Sequence, residues 1–106
     1  MKKGFGGGMQ NLMRQANQMQ NKMKKVQEEF AGKEFSGTAG GDAVKVIVSG
    51  EYFIKSMEIK PEILEDAEML AEVIQLATND AIKTAKAEYQ KEMDGITGGM
   101  GVPGLV

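Results

Sequence analysis

Residues 40–59 constrain the fold most, because their pattern is that of a β-hairpin. Three valines, Val44, Val46 and Val48, alternate with Lys45, Ile47 and Ser49. A period of two places the valines on one face of a strand. Ser49-Gly50 follows directly and is typical of a tight turn, since glycine accepts the positive φ that such turns need.

The returning strand predicts an irregular ladder. Its apolar residues Ile54, Met57 and Ile59 are spaced by three and then by two. That spacing is one residue too long for strict alternation, so we expect a β-bulge near Lys55-Ser56. Gly40-Gly41 indicates a second turn, and residues 33–38 before it can form a shorter strand. The sequence therefore predicts a three-stranded antiparallel meander.

A long helix is predicted before the meander, from near Met9. Its apolar residues alternate in steps of three and four, which is an a/d heptad seam. Gly32 follows the last of them and suits a helix end. Methionine in such a seam indicates core packing or an adaptable helix interface. The seam consists of Met9, Leu12, Ala16, Met19, Met23, Val26 and Phe30.

A second long helix is predicted after the meander. Pro61 suits a short turn that ends the third strand, and Asp66 is a plausible N-cap. Small side chains in the apolar face would let another element approach closely. We expect Gly95 to end this helix. The apolar face consists of Leu70, Ile74, Ala77, Ala81, Ala85 and Tyr89.

These patterns predict one α+β domain over residues 9–94 in a chain of 106 residues. The order is α-β-β-β-α, with the three-stranded sheet flanked by the two long helices. Residues 1–8 and 95–106 are glycine-rich and carry no apolar pattern, so we expect both to be flexible and dispensable for folding.

Charge is segregated along the chain. Residues 1–27 hold six basic residues and no acid, a formal charge of +6. The remaining seven lysines and fifteen acids give 7 − 15 = −8. Such asymmetry favours an anionic partner for the basic part, although it also occurs on ordinary solvated helix faces.

Composition argues against catalysis. The chain has no Cys and no His, which excludes disulfides, the common nucleophilic triads and the usual zinc ligands. No glycine cluster is followed by the Lys-Ser/Thr of a phosphate-binding loop. We expect no enzyme activity, cofactor, metal or small-molecule substrate. Neither a membrane span nor a secretory signal is recognisable, so a cytoplasmic protein is expected.

The predicted lengths of the helices and strands lead us to expect a homo-oligomer. At about 1.5 Å per residue both helices are longer than an eight-residue strand of about 26 Å, so they must overhang the sheet. A monomer would then expose an apolar seam and two open sheet edges. A symmetric homodimer resolves both problems. We expect its interface to include Met19, Met23, Val26 and Phe30.

The ordered motifs resemble the YbaB/EbfC family of bacterial nucleoid-associated proteins over most of the chain. Each motif is weak alone, but the set is specific. The motifs are Gln-Met-Gln-Asn-Lys-Met at 18–23, Gln-Glu-Glu at 27–29, Gly-Thr-Ala-Gly-Gly at 37–41, Val-Lys-Val at 44–46, Gly50, Met-Glu-Ile at 57–59, Leu-Glu-Asp at 64–66, Asn-Asp-Ala at 79–81 and Thr-Gly-Gly-Met-Gly at 97–101.

The resemblance implies a tweezer-shaped homodimer that binds double-stranded DNA in the cytoplasm, associates with the nucleoid and influences gene expression. It supplies no invariant base-reading motif. Charge therefore selects the expected contacts, which are Arg14, Lys22, Lys24 and Lys25 on the first helix and Lys83, Lys86 and Lys91 on the second. The alternative is a small acidic dimer that binds another protein, as secretion chaperones do.

Overall fold

The structure is a computed structural model that describes residues 2–98, with side chains from residue 8 onward. It has the predicted α-β-β-β-α order and belongs to the α+β class. The elements are α1 (Lys2–Ala31), β1 (Glu34–Ala39), β2 (Val44–Ser49), β3 (Ile54–Ile59), a 3₁₀ helix (Pro61–Glu65) and α2 (Ala67–Thr97).

The three strands form an antiparallel sheet in the order β1-β2-β3, with β2 in the centre. The valines of β2 are completely buried and face α2, as their alternation predicts. Ile47 lies opposite Ser56 and Val48 lies opposite Ile54, so Lys55 is the extra residue of a β-bulge. The bulge expected near Lys55-Ser56 is confirmed.

The helix α2 packs on β1 and β2 through a stripe of alanines. Ala77, Ala81 and Ala85 are fully buried. Opposite them, Gly37 of β1 lies against the α2 backbone so tightly that a Cβ there would overlap the Ala77 carbonyl and the Ala81 backbone. The close approach expected from the small residues of α2 is therefore confirmed, and Gly37 allows it from the side of the strand.

The start of α2 also agrees with the prediction from the sequence. Pro61 opens the short 3₁₀ helix. The Asp66 carboxylate then accepts a hydrogen bond from the Met69 amide at 3.1 Å, which satisfies one of the free N–H groups at the helix start.

Three local expectations need correction. α1 begins at Lys2 rather than near Met9, since extending an existing helix through glycine costs only about 1 kcal/mol per residue. α2 continues past Gly95 to Thr97, and the left-handed residue that ends it is Gly98. The rest of the expected tail, residues 99–106, lies outside the described residues.

The third correction concerns the β2–β3 turn. The positive φ expected at Gly50 belongs to Tyr52, whose φ is 67°. Gly50 is needed for space instead, because a Cβ there would lie 2.6 Å from the Phe30 carbonyl carbon. The turn expected at Gly40-Gly41 is confirmed, and both glycines adopt positive φ there.

The molecule is elongated, with extents of 77 × 26 × 15 Å. α1 causes this shape, because every residue from 8 to 22 is exposed and the helix projects beyond the sheet. We call residues 9–25 the α1 arm. None of the helices within residues 2–98 is both long enough and apolar enough to cross a membrane.

We predict that Gly37→Ala lowers the free energy of unfolding by about 3 kcal/mol or more, because the new methyl group must displace the backbone of α2. The matched control is Gly95→Ala, which meets no atom within 4 Å and lies inside a helix. That change should raise stability by up to about 1 kcal/mol. Urea denaturation of both variants checks the pair, and equal effects would contradict the close contact.

Candidate nucleic-acid interface

The α1 arm is fixed at its base by Phe30, which is only 2% exposed. The Phe30 ring lies 4.9 Å from the Phe35 ring and 5.2 Å from the Tyr89 ring, in a tilted and an edge-on arrangement. The Gly50 backbone closes the cluster from the β2–β3 turn. Phe30 therefore packs inside its own chain and exposes almost no side-chain surface to a second copy.

Two polar contacts reinforce this base. The Gln27 amide donates a hydrogen bond to the Tyr89 hydroxyl at 3.1 Å. The Lys33 ammonium donates to the Glu92 carboxylate at 2.6 Å. The hydrogen bond that Lys33 donates to Glu92 raises the pKa of Lys33, so Lys33 is charged at neutral pH. The first contact joins α1 to the C-terminal half of α2, and the second joins the α1–β1 connection to it.

The basic side chains of the arm point away from its apolar seam. At about 100° per residue, Arg14 and Lys25 lie within about 20° of each other around the helix, and Lys22 and Lys24 lie about 80° to either side. The centre of the seam lies opposite Arg14 and Lys25, and about 90° from Lys22 and about 110° from Lys24. All four basic residues are exposed. Within residues 8–98 the one ion pair is Lys33–Glu92, so none of the four has an acidic partner there.

The second predicted group, on α2, is also exposed but more dispersed. Lys83, Lys86 and Lys91 are all accessible. The Lys86 ammonium lies 6.0 Å from the centre of the Tyr52 ring, at the β2–β3 turn. The contact between Gln27 and Tyr89 places this part of α2 beside the C-terminal end of the arm.

Some of the basic residues of α1 therefore lie beside some of those of α2. Lys24 and Lys25 are within one helical turn of Gln27, and Lys86 and Lys91 are within one turn of Tyr89. Arg14 lies about 20 Å further out along α1. The structure thus gathers several lysines at the base of the arm, among the acids Glu28, Glu29, Glu88 and Glu92, and leaves Arg14 toward the end of the arm.

The apolar surface of the protomer is incompletely covered. On the arm, the seam residue Leu12 is 66% exposed and Met19 is 36% exposed, whereas Met23 and Val26 are half-buried near α2. On the sheet, α2 covers β1 and β2 but makes little contact with β3. Ile54 of β3 is consequently 52% exposed although its strand partner Val48 is buried.

Sequence reasoning missed several residues that shape this region. Asp80 accepts a hydrogen bond from the Thr38 amide on the edge strand β1, at 3.1 Å, and so protects part of that edge. Tyr52 and Phe53 project from the turn and are 44% and 65% exposed. The available signal was an aromatic pair inside the turn, separated from Ser-Gly by Glu51 alone, because a hairpin turn gives such side chains little cover.

The comparison with known families identifies the chain. The sequence matches the YbaB/EbfC DNA-binding family over residues 5–100. The chain belongs to this family. The resemblance inferred from the motifs is therefore confirmed over nearly the whole length.

Curated relatives agree with this assignment. The chain is 46% identical over 104 residues to a protein of Clostridium kluyveri named nucleoid-associated protein, covering 96% of this chain and 91% of that protein. It is 47% identical over 106 residues to a protein of the same name from Clostridium novyi, covering 96% and 93%.

A solved structure shares the fold. The crystal structure of an uncharacterized protein from Helicobacter pylori matches with a TM-score of 0.62 at 21% sequence identity. The match covers 72% of this chain and 90% of that one. At this identity the likeness concerns the fold alone.

Residues 8–98 contain no group of three or more Asp and Glu side chains placed to hold a metal ion. What this part of the chain presents is an exposed basic surface on a projecting helix. Such a surface can neutralise the charge of a polyanion without any bond being made or broken.

We predict that Phe30→Ala lowers the free energy of unfolding by about 3–5 kcal/mol, because it empties the cluster that holds α1. The matched control is Phe53→Ala, which removes the same atoms from an exposed site and should change stability by only about 0.5 kcal/mol. Chemical denaturation followed by circular dichroism compares them. A small loss for Phe30→Ala would show that the arm is not anchored there.

Proposed function

We propose that this protein is a nucleoid-associated homodimer that binds double-stranded DNA in the cytoplasm, mainly through phosphates and with little sequence readout. The observation that carries the proposal is the exposed basic side of the α1 arm. Arg14, Lys22, Lys24 and Lys25 lie there with no acidic partner within the described residues. Membership of a DNA-binding family and the names of the relatives support it.

Electrostatics favour the base of the arm over the start of α2 as the place of contact. Glu68 and Glu72 lie exposed in the first turns of α2 and would repel phosphates. Lys83, Lys86 and Lys91 lie in its C-terminal half, beside the arm. We therefore propose that DNA runs along the arm and its base, and avoids the N-terminal end of α2.

A second copy is proposed to cover the apolar surface. The isolated protomer leaves the arm seam and the β3 side of the sheet open, and an exposed helix of this length is only marginally stable alone. A two-fold pairing through Met19, Met23 and Val26, together with the β3 edge, would bury both. It would also present the basic side of the arm twice.

The exposed seam also supports the second candidate, in which the protein binds another protein's helix. Leu12 and Met19 could accept an amphipathic partner helix as well as a second copy. This candidate needs no basic surface, so it predicts no salt-dependent binding to DNA. Binding to DNA with strong salt dependence distinguishes the two.

We predict that Lys24→Gln with Lys25→Gln weakens DNA binding about equally for unrelated duplex sequences. Each lost phosphate contact should also reduce the slope of log K against log salt by about 0.9, because fewer counterions are released. Fluorescence anisotropy titrations at several salt concentrations measure both quantities.

The matched control for this pair is Lys45→Gln with Lys60→Gln. These two lysines are exposed on and next to the sheet, away from the arm, and their loss changes the net charge by the same amount. The control should retain most of the affinity and the slope. Equal losses in both variants would show that net charge, and not the arm, determines binding.

We predict that the protein sediments as a dimer of about 23 kDa, twice the 11.5 kDa chain. Met23→Asp should shift the protein to monomer or unfold it, since burying an unpaired carboxylate costs several kcal/mol. The matched control Asn21→Asp adds the same charge on an exposed side of the helix and should remain dimeric. A folded wild-type monomer at micromolar concentration in sedimentation equilibrium would contradict the proposal.

A further inference from the structure

The strand β3 leaves one edge of the sheet open. In an antiparallel ladder every second residue bonds to the neighbouring strand. The Lys60 amide donates to the Ala43 carbonyl at 2.8 Å, so Glu58, two positions earlier, also bonds to β2. The N–H and C=O groups of Met57 and Ile59 therefore point away from β2, and none of residues 2–98 forms a further strand beside them.

The opposite edge of the sheet is better protected. On β1, the Thr38 amide donates to the Asp80 carboxylate of α2, and α2 packs along the strand. On β3, by contrast, Ile54 is 52% exposed, and Met57 and Ile59 are only half-buried. Open backbone groups beside exposed apolar side chains attract another strand, so β3 is the edge where one would add.

We propose that β3 pairs with β3 of a second copy, so that the two three-stranded sheets join into one antiparallel sheet. This inference rests on the proposed homodimer and specifies how its two copies meet. A two-fold axis between the strands makes the contact closed, because each copy uses the same edge and no open edge of this kind remains.

The charge of Glu58 and the position of Pro61 select the register of this pairing. Outside the bulge, the outward-pointing groups belong to Met57 and Ile59, so these residues must bond across the axis. Pairing Met57 with Ile59 would set Glu58 directly opposite its own copy, and like charges destabilise such a pair. Pairing Ile59 with itself would set Pro61, which has no N–H, opposite Met57.

The remaining register places Met57 opposite its own copy on the two-fold axis. The two Met57 residues then exchange both N–H···O bonds of a hydrogen-bonded pair. Ser56 lies opposite Glu58 on each side of the axis, where a hydroxyl donates to a carboxylate. Within its own chain Glu58 is already opposite Lys45 of β2, so its charge has a basic neighbour there. The edge is therefore complementary to itself.

The same register also joins the apolar side chains of the two edges. Met57 and Ile59 are the strand partners of Val46 and Val44, which face α2, so all four side chains lie on that face of the sheet. Across the axis, the Met57 and Ile59 side chains of the two copies form one strip between the two α2 helices. Burying this strip favours pairing, in addition to the backbone bonds.

The pairing uses none of the basic residues of the α1 arm. Backbone hydrogen bonds and apolar contacts are screened little by salt, whereas phosphate contacts weaken steeply with it. We therefore expect the dimer to persist in sedimentation at salt concentrations that release DNA.

Cysteine cross-linking tests the register, because the chain contains no cysteine of its own. In a hydrogen-bonded pair the Cα atoms are about 5.5 Å apart, which a disulfide spans. Under mild oxidation Met57→Cys should give a covalent species of twice the 11.5 kDa chain on a non-reducing gel. The matched control Ser36→Cys, exposed on the β1 edge, should stay at the mass of one chain.

A mixed experiment checks the register independently. Ser56→Cys alone and Glu58→Cys alone should cross-link poorly, since each lies about 7–8 Å diagonally from its own copy. When the two variants are unfolded together and refolded as a mixture, Ser56 of one chain lies opposite residue 58 of the other. The mixture should then yield the covalent heterodimer, which a tag on one variant identifies by mass.

A proline substitution tests the backbone bonds. The Met57 amide points away from β2, so Met57→Pro removes it without breaking the ladder inside the chain. Met57→Ala is the matched control, since it also removes the side chain but keeps the N–H. We expect the dimer dissociation constant of the proline variant to be about tenfold or more above that of the alanine variant.

Failure of the edge pairing is distinguishable from failure of the proposed function. If the wild type sediments as a dimer and Met57→Cys forms no more covalent dimer than Ser36→Cys, the edge proposal alone is wrong. Cross-linking of Ser56→Cys by itself, as efficient as that of Met57→Cys, would also overturn it. If the wild type sediments as a monomer, the proposed homodimer is wrong first. If Met57→Pro unfolds in a thermal melt, the cysteine variants decide.

Discussion

The contact between Gly37 of β1 and the alanine stripe of α2 is the constraint on which the other contacts depend. Backbone lies against backbone there, because neither side has a side chain larger than a methyl group. This contact sets α2 over β1 and β2 and leaves β3 largely uncovered. It also aligns α2 so that its C-terminal half extends past the sheet and meets the end of α1, where Tyr89 completes the aromatic cluster around Phe30.

The α1 arm follows from that arrangement. A helix needs tertiary contacts to be stable, and α1 finds most of them in its last two turns, through Phe30, Gln27 and the neighbouring Lys33. The preceding residues are left exposed, with an apolar seam on one side and basic residues on the other. An arm of this kind is suited to two simultaneous contacts, one with a second copy and one with a polyanion.

Charge segregation distinguishes the arm from the rest of the molecule. The α1 arm contains no acid, and all fifteen acids of the chain lie between Glu28 and Asp94. Charge therefore favours the arm over the rest of the molecule as the part that a polyanion approaches.

The sequence by itself determined the elements, the buried face of β2, the bulge at Lys55 and the cap at Asp66, because each depends on spacing between neighbours in the chain. It also determined that Lys24 and Lys25 lie outside the seam, since helical periodicity fixes that. Only the tertiary structure decided that Phe30 packs inward on Tyr89, that Tyr52 takes the positive φ and that Lys86 reaches the turn. These outcomes depend on contacts between residues far apart in sequence, which local periodicity does not encode.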